Sequence, residues 1–241
     1  AVDAAVDGDR IIVYAGHYDE NVVIHNKSLT LEANDADWPY VHGNDGTCFN
    51  VTSGEYDDIT IVGFDMNARG TGNGVYVNGT GNVNITGNII LSDYDAIHLD
   101  SIFGQINVND NELYVDDEDG VYVGVGYCDV QVKNNYIESY LGGVNITQGL
   151  AKVDVSENNM TCWGTDIYAV ALGGFNATLN NVYSEMWYGI LVYESAGNIT
   201  INGNTIDSSE DSIIVDMASG AYVQIEENWI DTQHGNYAIG I

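Results

Sequence analysis

Basic residues are almost missing from this chain. Its 241 residues hold five lysines and arginines (Arg10, Lys27, Arg69, Lys133 and Lys152) against 36 aspartates and glutamates, a formal net charge of -31, and the 89 residues after Lys152 carry none. Nucleic-acid binding rests on neutralising phosphates with such side chains, so a nucleic-acid partner is excluded. Proline is nearly absent too: Pro39 stands alone beside 28 glycines, which suits strands joined by tight corners with few lost ladder hydrogen bonds. No apolar run reaches the roughly 18 residues of a membrane span, so membrane insertion is not expected. Cysteine is scarce as well. Counted along the chain, Cys48 and Cys128 share a similar phase about three turns apart, and Cys162 falls at another corner. Disulfide geometry needs Cα atoms within about 7 Å, so no intrachain bridge is expected. The odd count leaves two readings open, buried thiols or a bond to a neighbouring subunit.

What is abundant is repetition. In VNITGNII, INVNDNEL, VQVKNNYI, VDVSENNM, FNATLNNV, ITINGNTI and VQIEENWI the sixth position is always asparagine: Asn88, Asn111, Asn135, Asn158, Asn180, Asn204 and Asn228, at intervals of 23, 24, 23, 22, 24 and 24 residues. A period of that size marks one supersecondary unit per repeat, stacked into a solenoid. Apolar and polar residues alternate within each segment, the period-two signature of a half-buried strand, and no long 3.6-residue periodicity exists. A second alternating run follows in each unit, such as GVYV at 74 and 120, AIHL at 96 and GILV at 189. Two clear strands and a short third fit into about 24 residues, one turn of a single-stranded right-handed parallel β-helix. The expected fold is therefore all-β, with the asparagines stacked as an inward ladder.

The pattern extends toward the amino end, with Phe64 and Asn34 at the asparagine position. The 30-residue step between these two implies an inserted loop around Ala36 to Gly46. About nine turns result, at roughly 4.8 Å each a rod on the order of 45 Å. One solenoid domain over 1–241 is expected, with residues 1–8 as a short residual cap helix.

The acidic surface has two readings, adaptation to a saline medium or specific calcium sites. The best calcium cluster is Asp116, Asp117, Glu118 and Asp119 at a turn, with Asp93 and Asp95 one turn earlier, since hard cations take clustered oxygen ligands. Arg69 and Lys133 show no acidic partner at matching phase. Eight Asn-x-Ser/Thr sequons occur, at Asn26, Asn50, Asn78, Asn84, Asn145, Asn159, Asn176 and Asn198, which favours an exported protein carrying N-glycans. A start at Ala1 is what cleavage of a leader would leave. On the second strand Tyr76, His98, Tyr122, Asn145, Tyr168, Leu191 and Ile214 form an outward stripe, read as a sugar platform, a lateral contact between rods, or β-propensity filling.

The opening residues carry a resemblance. Asp7-Gly8-Asp9 before a strand, Gly16-His17-Tyr18 with Glu20-Asn21-Val22, and Lys27-Ser28-Leu29-Thr30-Leu31 resemble the right-handed β-helix repeat proteins of archaeal cell surfaces. These lie within the pectate-lyase-like superfamily, close to its carbohydrate-binding and sugar-hydrolase (CASH) domains. The resemblance implies the β-helix fold over the whole chain and is specific over roughly the first 35 residues. The Asn-Thr-Asp, Gly-Asp-Asp, Gly-His-Gly and Arg-Ile-Lys motifs of polygalacturonase-like members do not occur here. No catalytic residues are assigned, and the chain is not expected to be an enzyme.

The carboxyl end stops on a strand, YAIGI, with no polar tail after Ile239 and Ile241. A bare final strand and core layer favour addition of a second copy head to tail, with Ile11 and Val13 meeting Ile239 and Ile241, and such heterologous contacts build filaments. Arg10 and Lys27 near one end complement Asp216, Glu226, Glu227 and Asp231 near the other. The expected function is an extracellular structural subunit of a filament, sheath or surface layer. A carbohydrate-binding or polysaccharide-cleaving β-helix is the alternative.

Overall fold

A computed structural model describes residues 1–241 except 35–37, 45, 55–56, 71, 125, 150, 172, 218–220 and 236. Alternating sequence becomes strand because each short run buries every second side chain. In Val83–Thr86 the burial alternates buried, half-buried, buried, half-buried, and Ile106–Asn109 and Val130–Lys133 repeat it. Each run pairs in parallel with the equivalent run one coil away, so Val83, Ile106, Val130 and Val153 stack, as do Ile85, Val108, Val132 and Val155. All eight are at most 2 % exposed. Each such burial contributes about 1.5–3 kcal/mol, and no single layer dominates.

Three parallel sheets result, each of ten strands. The first runs from Asp9–Val13 to Val223–Glu226, the second from His17–Asp19 to Trp229–Thr232, and the third from Val22–His25 to Ile239–Gly240. Nine steps separate the ten coils, in line with the count read from the repeat. The residues added in the 30-residue step fall between Asn34 and the strand Tyr40–His42; Ala36 lies outside the described residues. At the amino end Val2–Ala4 forms a 3-10 turn, held by Lys27 Nζ donating to the carbonyls of Val2 and Ala5, both at 3.1 Å.

The corner between the first and second sheets carries the asparagine ladder. Asn111 Nδ2 donates to Asn135 Oδ1 at 3.0 Å and to the Ile85 carbonyl at 3.0 Å, and its backbone N–H donates to the same Oδ1 at 3.0 Å. The motif repeats to Asn228 and begins where Phe64 N–H donates to Asn88 Oδ1. Just before each ladder asparagine the backbone turns left-handed, with φ between 54° and 67° at Gly87, Asp110, Asn134, Glu157, Leu179, Gly203 and Glu227.

A second interior column lines the corner between the second and third sheets. Ser139, Cys162, Ser184 and Ser208 stack in register, and Ser139 Oγ donates to the Gly142 carbonyl at 2.8 Å and Ser184 Oγ to that of Gly164 at 2.6 Å. These small side chains satisfy corner carbonyls from inside and hold the corner loops in place.

The three thiols are free and buried. Cys48 precedes the third-sheet strand Phe49–Thr52, Cys128 precedes the first-sheet strand Val130–Lys133, and Cys162 ends a second-sheet strand. The shared phase of Cys48 and Cys128 is thereby corrected: the register of the third sheet carries Cys48 to Gly120 three coils on, and Cys128 lies about a third of a turn beyond it, before a first-sheet strand.

Candidate functional site: an aromatic and acidic groove

The loops from second to third sheet stack coil upon coil through their backbones. Leu141 N–H donates to the Glu118 carbonyl at 3.1 Å, Gly164 N–H to that of Tyr140 at 3.1 Å, and Met186 N–H to that of Trp163 at 3.1 Å. This regular scaffold brings large apolar side chains of successive coils to one edge. Tyr140, Trp163 and Trp187 remain roughly half exposed there, at 47, 45 and 58 %. The Tyr140 and Trp163 rings meet edge to face, with centroids 5.2 Å apart and planes at 80°. With Tyr168, Asn145 and Asp119 they surround a cavity of about 640 Å³.

Asp119 sits at its floor, 5 % exposed. Burial pushes its carboxyl up to about 7; the hydrogen bond from Asn145 opposes this, and the charges of Asp95 and Glu118 add to it. Asn145 Nδ2 donates to Asp119 Oδ2 at 2.7 Å.

A second cluster adjoins it. His98 Nδ1 lies 2.7 Å from Asp95 Oδ2 and Nε2 lies 3.2 Å from Asp100 Oδ2, an arrangement that a doubly protonated ring satisfies. Burial alone would lower the His98 pKa, but the bonds and charges of Asp95 and Asp100 outweigh it and the net shift is upward. Asp95 Oδ1 accepts the Asp119 N–H at 3.0 Å, joining the two clusters. Above and below, His98 packs against Tyr76 and Tyr122, with centroids 5.2 and 4.6 Å away.

The outward stripe is thus in register from Tyr76 to Ile214. Tyr76, His98 and Tyr122 stack on one another, so they do not form a flat face turned to solvent. Leu191 is buried at 7 % exposure.

Four of the six acids proposed for calcium already have partners. Asp95 is engaged by His98 and the Asp119 N–H, Asp119 by Asn145, Asp93 Oδ2 accepts Gly70 N–H at 2.9 Å, and Asp116 lies 3.5 Å from Arg69. Among the described residues, no group of three or more histidine, cysteine, aspartate or glutamate side chains is placed to hold a metal ion. Arg69 and Lys133 do have partners, Asp116 and, at 3.0 Å, Glu157 on the following coil. Fixed-period counting missed both because long side chains reach beyond their own column.

Of the sequon asparagines, Asn26, Asn159 and Asn198 are exposed, and Asn50, Asn78, Asn84, Asn145 and Asn176 are half-buried. Asn145, Asn78 and Asn176 use their amide nitrogens on Asp119, Tyr76 and Asp154. At the ends of the rod Ile11 and Val13 are half-buried, while Ile239 and Ile241 are exposed. The basic residues offered for end-to-end complementarity are already engaged, Arg10 with Glu32 at 2.6 Å and Lys27 with the cap carbonyls.

The groove aromatics were legible and unread. Tyr140 and Trp163 follow Ser139 and Cys162 in the same register, with Glu185 in that place on the next coil and Trp187 two residues further on, all in loop positions where alternation gives no sign of direction.

Three parallel sheets wound from one repeating coil define a β-solenoid. The chain belongs to the right-handed β-helix family, since residues 73–230 match the family described as "Right handed beta helix region". Searches of curated proteins and of solved structures each returned no match. No helix among the described residues is long and apolar enough to cross a membrane.

Proposed function

We propose that this β-helix is a non-catalytic, extracellular glycan-binding protein, of the archaeal-surface type that its opening residues resemble, and that the groove between second and third sheets is its binding site. One observation carries the reading: a cavity of about 640 Å³ walled by Tyr140, Trp163, Tyr168 and Trp187 over a floor of Asp119 and Asn145. Sugars bind where aromatic carbon surface meets a few convergent polar groups. Coils rise about 4.8 Å apart, close to the length of one sugar ring in an extended chain, so successive coils offer successive rings a wall. A binding role is favoured over hydrolysis because Asp95 and Asp119 are both engaged, whereas glycoside hydrolysis needs a free carboxylate facing an acid. Tryptophan fluorescence titrated with a panel of oligosaccharides tests this. Saturable quenching lost in Trp163→Ala supports the reading, and no response to any glycan refutes it.

A second reading, head-to-tail assembly into a filament, is favoured by the outermost coils. Val223, Ile225 and Ile230 are only half-buried, and Ile239 is 42 % exposed. It ranks second because the ladder corner of the first coil holds Tyr14, by register with Asn34. A phenol there lacks the amide oxygen that each step from Phe64 to Asn228 uses. Electron microscopy of the purified protein separates the two: long polymers favour assembly, and isolated short rods count against it.

A further inference from the structure

The groove's charge and shape narrow its ligand, on the premise that it binds glycans. Four of the five basic side chains are engaged elsewhere: Arg10 with Glu32, Arg69 with Asp116, Lys133 with Glu157, and Lys27 with the amino-terminal carbonyls. None of the five lines the cavity. The loop before it carries Asp116, Asp117 and Glu118, and Glu185 follows. A polyuronate entering here would meet Asp117, Glu118 and Glu185, none of them paired with a lysine or arginine among the described residues, and like charges brought together in a partly desolvated site repel strongly.

The walls point the same way. Rings at 80° make a right-angled niche rather than a flat platform, and a niche grips a substituent that projects from a sugar. A cation placed over an aromatic face is attracted by the ring quadrupole, more strongly when desolvated. The adjacent carboxyl belongs to Asp119, buried and oriented by Asn145. We infer that the groove selects a glycan bearing free primary amino groups, its ammonium seated in the Tyr140 and Trp163 niche with Asp119 as counter-ion. Binding there favours the ionised form of Asp119, so part of the attraction goes to releasing its proton.

The test compares three soluble oligomers of equal length, β-1,4-glucosamine, its N-acetylated counterpart and galacturonate, by calorimetry and tryptophan fluorescence. The glucosamine oligomer is expected to bind about tenfold or more tighter than the acetylated one, with galacturonate weakest. Asp119→Asn, near-isosteric and able to keep the Asn145 bond, is expected to remove most of that preference, and Trp163→Ala to weaken binding of the amino sugar and abolish its quenching. A polycation also adsorbs to any strongly acidic surface, and loss of one charge in so large an excess would leave adsorption unchanged. Equal affinity of parent, Asp119→Asn and Trp163→Ala therefore overturns the inference. So does an acetylated or galacturonate oligomer binding as tightly as the amino sugar, which leaves glycan binding itself standing. Failure of all three oligomers, and of a wider glycan panel, removes both. Should Asp119→Asn not fold, the Trp163→Ala comparison across the three oligomers decides alone.

Discussion

Asn145 and Asp119 stand one coil apart and share a hydrogen bond of 2.7 Å from Nδ2 to Oδ2. One is a sequon asparagine and the other an acid of the presumptive calcium cluster, and the structure uses both to build the floor of a groove. That floor has a pH signature.

Asp119 moves from 3.8 up to about 7 on folding, chiefly through burial. The folded chain therefore binds more protons than the unfolded one between those values, so the contribution to stability is fully present below about 4 and is lost as pH rises through about 7. Its ceiling is about 4 kcal/mol. Asp119→Asn should flatten this slope. Urea midpoints from about pH 4 to about pH 8, for parent and variant, check it; the difference between the two curves matters, because Asp166 and His98 are also shifted upward and contribute the same sign.

Asn135→Ala should be among the most damaging single changes in the ladder. Asn135 Oδ1 accepts from the N–H and Nδ2 of Asn111, and its own amide donates to Asn158 Oδ1 and to the carbonyls of Val108 and Lys133. Truncation strands several buried groups at about 1–3 kcal/mol each, so a loss on the order of 4 kcal/mol is expected in chemical denaturation. A loss under about 1 kcal/mol would mean that water replaces the amide.

Much of this architecture was legible because a solenoid writes its geometry into its period. Asn88 to Asn228 mark one corner, and Val83 or Ile106 declare their inward direction by alternation. Asp166 shows where that legibility stops. It is completely buried between Gly143 and Gly189, in register with both, and neither carboxyl oxygen has a partner among the described residues. A lone aspartate in a loop reads as solvent-facing; only the glycines on either side, which leave room for it, reveal that it turns inward. The Ser139, Cys162, Ser184 and Ser208 column was equally regular, yet small polar residues say little about facing. The pairing of Arg69 with Asp116 needs side-chain reach, which no spacing rule encodes.

Leu179→Gly should stabilise the protein. Leu179 holds φ 57° at the corner before Asn180 and is 63 % exposed, while Gly87 and Gly203 occupy the same position with φ 63° and 67°. A β-carbon in that region costs roughly 1–2 kcal/mol. The larger entropy glycine loses on folding reduces the gain to about 0.5–1 kcal/mol. Thermal melts of the two proteins decide the sign.

The thiols should be inert in the folded state. Burial raises Cys48 to about 11 and Cys128 to about 12, and lifts Cys162 well above its ordinary value, with Asp166 adding to it. The thiolate is the reactive form, so a disulfide-forming chromogenic reagent at neutral pH should modify none of the three until denaturant is added. Rapid labelling of the native protein would show that a corner opens.

Salt dependence separates the two readings of the acidic surface. With a net charge of -31 and coils about 4.8 Å apart, neighbouring carboxylates lie well inside the ~10 Å screening length of 0.1 M salt. Raising salt toward 1 M shortens that length to ~3 Å, so the melting temperature should climb steadily with sodium chloride if repulsion is the main cost. Calcium chloride at matched ionic strength adds a specific term only where oxygens converge. Asp93, Asp95, Asp116 and Asp119 are already divided among Gly70, His98, Arg69 and Asn145, so calcium should exceed sodium only by the modest margin of its higher charge. A saturating rise at micromolar calcium, abolished by Asp117→Asn with Glu118→Gln, would instead show that the loop rearranges around an ion.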